Sequence, residues 1–213
     1  MSLGLTGDGI ILRLADRVIL GPLSVAVAPG HVVTLMGPSG CGKSSLLAYV
    51  CGILDPAFTA AGRVLLNGRE ITALPVEERR VGILFQDDLL FPHMSVGDNL
   101  AFGLTAAVKG RAARLQTIDE ALREAELGGF GDRDPATLSG GERARVALMR
   151  VLLSAPEVLL LDEPFGRLDL NLRGQIRAFV FDHARRRKLP ILLVTHDPED
   201  AAAAGGPVIK LKG

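Results

Sequence analysis

The amino-acid sequence predicts an α/β fold with a parallel sheet covered by helices, an antiparallel β region, and an inserted α-helical region. Three observations support this prediction. Apolar, strand-sized runs alternate with helical patterns along the 213 residues, which is typical of α/β proteins. The first 30 residues and a hairpin-like run at 63–70 instead indicate antiparallel strands. The stretch from about 88 to 155 contains helical patterns and no convincing strand.

The strands of the parallel sheet are predicted from continuous runs of Val, Ile and Leu. Strands that are covered on both faces do not alternate with polar residues. The predicted strands lie at residues 31–36, 81–85, 158–161 and 191–194. The antiparallel hairpin is predicted from the run RVLLNGRE, in which Asn67-Gly68 supplies the turn.

The helices are predicted at residues 43–51, 111–126, 141–153 and 170–187. In the second helix, apolar residues at helical spacing predict the buried face. These residues are Leu115, Ile118, Leu122 and Ala125. Residues 1–213 are interpreted as a single domain. Its α/β core with the β region covers about 1–87 and 156–213, and its helical subdomain covers about 88–155.

The composition excludes several classes of protein. Lys+Arg and Asp+Glu both number 24, so no net positive charge attracts nucleic acid or an anionic membrane. No apolar run approaches the roughly 20 residues that a membrane-spanning helix requires, and the N-terminus lacks the pattern of a signal peptide. Cys41 and Cys51 lie in and just beyond a glycine-rich loop, where a disulfide would cramp the loop. We therefore expect two reduced thiols in a cytosolic protein.

A phosphate-binding loop is predicted between the strand at 31–36 and the helix that follows it. Residues 37–44, GPSGCGKS, match the pattern G-x-x-x-x-G-K-[ST]. In such a loop, backbone N–H groups surround the phosphates, Lys43 neutralises their charge, and the hydroxyl of Ser44 binds Mg²⁺. The motif predicts a P-loop NTPase (RecA-like) core. The predicted nucleotide-binding residues are Gly37, Pro38, Ser39, Gly40, Cys41, Gly42, Lys43, Ser44 and Ser45.

Two adjacent carboxylates follow the apolar run at 158–161. Because successive strand residues point to opposite sides, Asp162 and Glu163 can do different work. In a P-loop enzyme an aspartate at such a strand end completes the Mg²⁺ site. Asp162 is therefore assigned to the metal. Glu163 is assigned to the attacking water, as a general base.

A second glycine-rich turn begins the run LSGGERARVALMR at 138–150, without a lysine at the equivalent place. The turn leads into a predicted helix, whose first backbone N–H groups can hold an anion. Ser139 is a candidate N-cap, and Glu142 three residues later completes a capping box. Capping and anion binding are compatible, since both use the same N–H groups.

These motifs resemble the ATP-binding subunits of ABC transporters over most of the chain, and six of them occur in the family's order. GPSGCGKSS is similar to Walker A, Gln86 to the Q-loop glutamine, and LSGGE to the ABC signature. LLLDEP is similar to Walker B, RLD at 167–169 to the D-loop, and Thr195-His196-Asp197 to the H-loop. The segment DPATLSGGERARVALMR also resembles the short YnjD-type importer ATPases and, further off, the thiamine-type ATPases.

The resemblance implies ATP and Mg²⁺ as cofactors, with Ser44, Gln86 and Asp162 at the metal. It implies that Glu163, His196 and Gln86 are catalytic.

The resemblance also implies head-to-tail dimers, in which Walker A of one subunit and the signature of the other enclose each ATP. This arrangement explains the second glycine-rich turn, because the partner supplies the lysine. Asp169 is the aspartate of the D-loop. The signature residues facing the partner's ATP are Leu138, Ser139, Gly140, Gly141 and Glu142.

The implied function is that of the ATP-hydrolysing subunit of an importer. Its partners are a second ATPase subunit, identical or paired, an integral membrane permease and, through the permease, a solute-binding protein. No nucleic acid is expected. The implied location is cytoplasmic, on the inner face of the cell membrane through the permease. The alternatives are a soluble ABC-type ATPase in translation or DNA repair, and a P-loop kinase or GTPase.

Three positions depart from the family's pattern. The family usually stacks adenine on an aromatic residue that corresponds to Leu14 or Ala15 here. No aromatic residue occurs before Tyr49, and the chain has no Trp. Gly166 replaces a residue that is usually serine, and Glu142 replaces a usual glutamine. The sequence therefore predicts weak recognition of the base and dominant recognition of the triphosphate.

Overall fold

The structure, a computed structural model, describes residues 3–211. Two compact units are present. One contains the residues up to Ile83, Glu157–Glu163, and the residues from Phe181 onwards. The other contains Leu84–Pro156 and Pro164–Val180. Among residues 3–211, every helix is too short or too polar to cross a membrane.

The strands form two sheets. In chain order they are β1 (Leu5–Leu14), β2 (Arg17–Val27), β3 (Val32–Met36), β4 (Phe58–Leu66), β5 (Arg69–Glu70), β6 (Val81–Leu84), β7 (Val158–Asp162), β8 (Ile191–Val194) and β9 (Val208–Lys210). A four-stranded sheet has the order β2-β1-β4-β5, and a five-stranded sheet has the order β6-β7-β8-β3-β9. The predicted α/β fold with an added antiparallel β region is confirmed.

The five-stranded sheet contains the four strands that the apolar runs predict. β3 and β7 both pair with β8 in parallel, and their Val and Leu side chains are buried. In this register Val194 lies opposite both Leu35 and Asp162. The three strands therefore end at one edge of the sheet, and the residues that follow them are brought together there.

The four-stranded sheet is antiparallel and forms from distant parts of the chain. β1 pairs with β2 on one side and with β4 on the other. β4 and β5 are joined at Asn67-Gly68, as the sequence predicts. At the end of β1, Leu14 lies opposite Arg17 in β2 and opposite Phe58 in β4.

The helices include the four that the sequence predicts. They are α1 (Lys43–Cys51), α2 (Val96–Gly103), α3 (Arg111–Glu124), α4 (Gly140–Leu153), α5 (Leu170–Arg186) and α6 (Pro198–Ala204). The bounds of α1 agree with the prediction, and those of α3, α4 and α5 differ from it by two residues or fewer. α2 and α6 are short, with eight and seven residues, and were not predicted.

The predicted buried face of α3 is partly wrong. Ile118, Leu122 and Ala125 are buried, but 55% of Leu115 is exposed. Leu115 lines an open cavity of about 630 Å³ whose wall includes Gly97, Gly110, Gly129 and Gly131. Glycines have no side chains that could cover a neighbouring leucine. Leu115 therefore stays exposed although it fits the helical pattern of apolar residues.

Candidate functional site

The glycine-rich loop after β3 leads directly into α1. Gly42, the residue before the helix, has φ of 86° and offers no side-chain cap. A Cβ at Gly42 would approach the Cβ of Leu20 to 3.0 Å and Cγ2 of Ile19 to 3.1 Å. Glycine is therefore required twice, for its left-handed backbone and for the close approach of β2. The uncapped N–H groups at the start of α1 are available to an anion.

Lys43 projects back into this loop. Its side chain is buried, and Nζ donates hydrogen bonds of 2.8 Å to the carbonyl oxygens of Gly37 and Pro38. The carbonyl dipoles compensate part of the cost of burying the ammonium group. The charge of Lys43 is thus held beside the N–H groups that would surround a phosphate.

Ser44 and Asp162 form a pair of oxygen ligands. Ser44 Oγ donates a hydrogen bond of 3.0 Å to Asp162 Oδ1. Burial raises the pKa of Asp162, and the hydrogen bond from Ser44 opposes that effect. Ligands of octahedral Mg²⁺ lie about 2.0–2.1 Å from the ion, so adjacent ligands lie about 2.9 Å from each other. The separation and the chemistry of these two oxygens therefore fit Mg²⁺.

A metal site rich in His, Cys, Asp or Glu is absent from residues 3–211, where no group of three or more such side chains converges. Mg²⁺ does not need such a group, because it is usually held by one or two carboxylates, waters and substrate phosphates.

Glu163 follows Asp162 and points to a different partner. Its Oε2 lies 3.0 Å from Nδ1 of His196, while its backbone N–H donates to the carbonyl oxygen of Val194. A buried hydrogen bond stabilises the turn that carries His196: the hydroxyl of Thr195 donates to Asp200 Oδ2 at 2.9 Å. His196 itself is largely exposed, with 69% of its side chain accessible.

Glu163 has φ of 48°, in the left-handed region that non-glycine residues avoid. This turn of the backbone follows β7 directly, so the carboxylate leaves the line of the strand and meets His196 at the end of β8. A charged carboxylate and an imidazole thereby lie next to each other at the edge of the sheet that also carries the phosphate-binding loop.

The second glycine-rich turn begins α4. Ser139 Oγ accepts a hydrogen bond from the backbone N–H of Glu142, and the N–H of Ser139 donates to Glu142 Oε2 at 2.6 Å. The predicted capping box is therefore confirmed. The hydrogen bond from the Ser139 backbone lowers the pKa of Glu142. A Cβ at Gly141 would lie 2.6 Å from Cδ1 of Leu172, so this helix start packs closely against the first turn of α5.

Leu138 and Gly140 complete this turn in different environments. Leu138 is buried, and its carbonyl oxygen accepts a hydrogen bond from Arg143 Nη1 at 2.7 Å. Gly140 lines a cavity of about 200 Å³. Gln86 is exposed after β6 and lines the same cavity. Asp169 accepts a hydrogen bond of 3.0 Å from the N–H of Leu172 through Oδ1, and so begins α5.

Two ion pairs at that cavity were not predicted from the sequence. Asp87 pairs with Arg167, and Asp88 Oδ2 lies 3.4 Å from Nε of Arg143. Burial raises the pKa of Asp88, and the charge of Arg143 is the largest of the three effects that oppose this shift. Each pair joins residues far apart in the chain, so spacing could not reveal it. The only signal was two acidic residues directly after Gln86.

The two cysteines are free, as the sequence predicts, and both are buried. Cys41 lies within the loop, with Sγ 3.9 Å from Nζ of Lys43. Burial raises the pKa of the Cys51 thiol, and the charge of Arg79 opposes this shift.

Comparisons with known proteins agree on one family. The family described as ABC transporter matches residues 20–166. An uncharacterized ABC transporter ATP-binding protein, YnjD of Escherichia coli K12, is 48% identical over 194 residues, which cover 91% of this chain and 89% of the relative.

Other relatives are named as import proteins. The Fe(3+) ions import ATP-binding protein FbpC of Agrobacterium fabrum is 42% identical, over 89% of this chain and 53% of its own length. The protein of the same name from Brucella abortus strain 2308 is 39% identical, over 97% of this chain and 58% of its own length. The chain thus spans little more than half the length of these import proteins.

Proposed function

The chain belongs to the ABC transporter family as an ATP-binding subunit, and we propose that it hydrolyses ATP to drive a separate membrane permease that imports a solute. The names of the FbpC relatives support import rather than export. The high identity to an ABC transporter ATP-binding protein of similar length supports the transport role over a soluble ATPase in translation or DNA repair.

The geometry at the ends of β3, β7 and β8 carries this proposal. Lys43 binds the terminal phosphates. Ser44 and Asp162, whose side-chain oxygens lie 3.0 Å from each other, hold Mg²⁺. Bound Mg²⁺ neutralises charge on the phosphates during phosphoryl transfer. Gln86 is proposed to contact the same ion.

Glu163 is proposed as the general base. Its carboxylate accepts a proton from the attacking water. His196 positions that carboxylate through the contact between Nδ1 and Oε2, and it also contacts the terminal phosphate. The remaining loop residues, from Gly37 to Ser45, surround the triphosphate with their N–H groups.

The subunits are proposed to act as a head-to-tail dimer, a homodimer or a pair with a related ATPase. In that dimer the turn from Leu138 to Glu142 meets ATP held by the partner, and Asp169 lies in the D-loop beside it. A division into a core of about 1–87 and 156–213 and a helical subdomain of about 88–155 is part of this proposal. The permease carries the subunit on the inner face of the cell membrane, and a solute-binding protein delivers the solute to it.

The substitution Glu163→Gln tests the catalytic assignment. The variant loses the base but keeps the phosphate and metal contacts, so it should bind ATP and lose at least about 99% of the ATPase rate, since general bases contribute about 10²–10⁴-fold. ATP should then hold the variant as a dimer in size-exclusion chromatography. A variant that still turns ATP over at a substantial rate would show that Glu163 is not the base.

A further inference from the structure

The site described above holds phosphates, but no ring lies where the family's pattern puts the platform for the base. Leu14 ends β1, and Ala15 begins the turn after it with φ of 49°. Neither side chain can stack on a purine in the way that an aromatic ring does. Stacking on a ring strengthens the binding of any base, because every base has a π face.

The antiparallel pairing supplies a ring at this place from another strand. Phe58, the first residue of β4, lies directly opposite Leu14. Side chains directly opposite each other in an antiparallel pair lie on the same face of the sheet, with Cβ atoms about 4.5–5.5 Å apart. The ring of Phe58 is therefore the immediate neighbour of Leu14, although the two residues are far apart in sequence.

The face shared by Leu14 and Phe58 continues along β1 to a residue pair that borders the phosphate-binding loop. Leu12 has the same orientation as Leu14, because side chains alternate along a strand. Leu12 is fully buried in the core and lies opposite Leu20. Leu20 and the preceding Ile19 both border the loop, since a Cβ at Gly42 would lie 3.0 Å from Cβ of Leu20 and 3.1 Å from Cγ2 of Ile19.

Leu14 lies close to the pair of Leu12 and Leu20 along the strand. Leu14 is two residues beyond Leu12, which is about 6.6 Å along the strand. Phe58 is half-buried and packs against the core cluster, so the core supports one side of the ring and leaves part of it accessible. Leu14 beside it is 40% exposed.

Another apolar surface borders the loop, but it lacks a ring. It is a cavity of about 400 Å³ lined by residues 18–23, Cys41, and residues 209–211. Every lining residue is aliphatic, glycine, proline, cysteine or lysine. This cavity can exclude water from a base, but it cannot stack on one.

We propose that Phe58, with Leu14 beside it, is the platform on which the purine base of the nucleotide stacks. This inference rests on the proposed function, since it places the base of the ATP whose phosphates Lys43 and Ser44 hold. The ring contacts the π face of the base and makes no hydrogen bond to its polar edge. ATP and GTP should therefore bind with similar affinity.

The test separates the base from the phosphates. Titrations measure the affinity of Mg²⁺-ATP and of Mg²⁺-tripolyphosphate for the intact chain and its variants. Phe58→Leu should weaken ATP about tenfold, which corresponds to about 1.4 kcal/mol, and leave tripolyphosphate unchanged. Phe58→Tyr keeps the ring and should bind both ligands as the wild type does.

A second substitution moves the ring to the other strand. Leu14→Tyr in the Phe58→Leu background should restore ATP affinity, and it should change the wild type much less because a platform is already present. Phe102→Leu, at an exposed ring of the other unit, is the matched control and should change neither affinity.

Two results would overturn the inference. One is unchanged ATP affinity in Phe58→Leu, and the other is an equal loss for ATP and tripolyphosphate, which would mean that Phe58 acts through the fold. Failure of the wild type to bind either ligand would contradict the proposed function itself.

Discussion

Glu163 combines a left-handed backbone with the function assigned to its side chain. A non-glycine residue in this region costs about 1–2 kcal/mol relative to the right-handed regions. The backbone N–H bond to Val194 and the contact with His196 hold it there. The backbone is therefore strained at the residue that is proposed to activate water. Such strain is common at catalytic sites.

This cost predicts different stabilities for two inactive variants. Glu163→Ala keeps the penalty of positive φ and loses the contact with His196, whereas Glu163→Gly loses the contact and removes the penalty. Thermal unfolding followed by circular dichroism should give the glycine variant the higher Tm. The difference should be a few degrees, since about 1 kcal/mol shifts Tm by about 2–4 °C in a domain of this size. Equal Tm values would show that the left-handed turn at Glu163 carries no cost.

At the scale of elements, the start of α4 depends on a reciprocal cap. Glutamine can take the place of Glu142 in a capping box, because its side-chain oxygen can also accept the N–H of Ser139. Alanine cannot accept it. We expect Glu142→Ala to unfold at a lower temperature than the wild type, with a loss of about 0.5–2 kcal/mol for a broken cap. Glu142→Gln keeps the acceptor but not the charge, so it should unfold between the two.

The same cap has a pH dependence with a defined sign. The pKa of Glu142 lies below its ordinary value of 4.5, with the hydrogen bond from Ser139 as the main cause. A depressed carboxyl pKa contributes stability above 4.5, and that contribution is lost as the pH falls through the folded-state pKa. The Tm advantage of the wild type over Glu142→Ala should therefore shrink in acid. An advantage that stays constant down to pH 2 would assign it to packing rather than to the charged cap.

Elements whose signals are local were predictable from the sequence. β3, β7 and β8 are continuous apolar runs, and Ser139 with Glu142 is a cap visible in four residues. α2 and α6 carry N-cap signals too, at Ser95 and Asp197, but eight and seven residues are too few to establish a helical period. β9 has three residues and forms because the edge of β3 is available beside it.

The parts of the site that were not predictable depend on pairing between distant segments. Nothing near Leu14 in the sequence indicates Phe58, because the neighbour is set by the register of β1 and β4. The family resemblance assigned separate roles to Glu163 and His196, but it did not indicate that they contact each other. Both contacts are set by which strands lie next to each other, and that is decided by the packing of the entire sheet.

At the scale of the whole molecule, the proposed function gives the chain two half-sites with different residues. One has Lys43, Ser44, Asp162, Glu163 and His196, and the other has the turn around Ser139. If each ATP lies between two subunits, a defect in one half-site damages a site that it shares with the partner. This arrangement predicts complementation between chains.

The experiment mixes two inactive variants. Ser139→Arg blocks the partner's terminal phosphate with a bulky cation, and Lys43→Ala empties the phosphate-binding loop. In a mixed dimer both lesions meet in one site and the other site is intact. An equal mixture should regain roughly a quarter of the wild-type ATPase rate if pairing is random in a two-fold dimer. The mixture could instead stay inactive and regain activity only when wild-type chains are added. That result would mean that the two subunits do not share sites, or that both sites must be intact for either to work.

The carboxylate that caps α4 also occupies part of the turn that is proposed to meet the partner's ATP. In the single chain, the N–H of Ser139 is already bonded to Glu142, so a free phosphate from solution would have to compete with a negative charge that is covalently tethered beside it. A tethered group has an effective concentration in the millimolar range or above, which dilute anions do not match. In the proposed dimer, a triphosphate held by the partner would be tethered in the same way, so we expect free phosphate to bind this turn only weakly in the single chain.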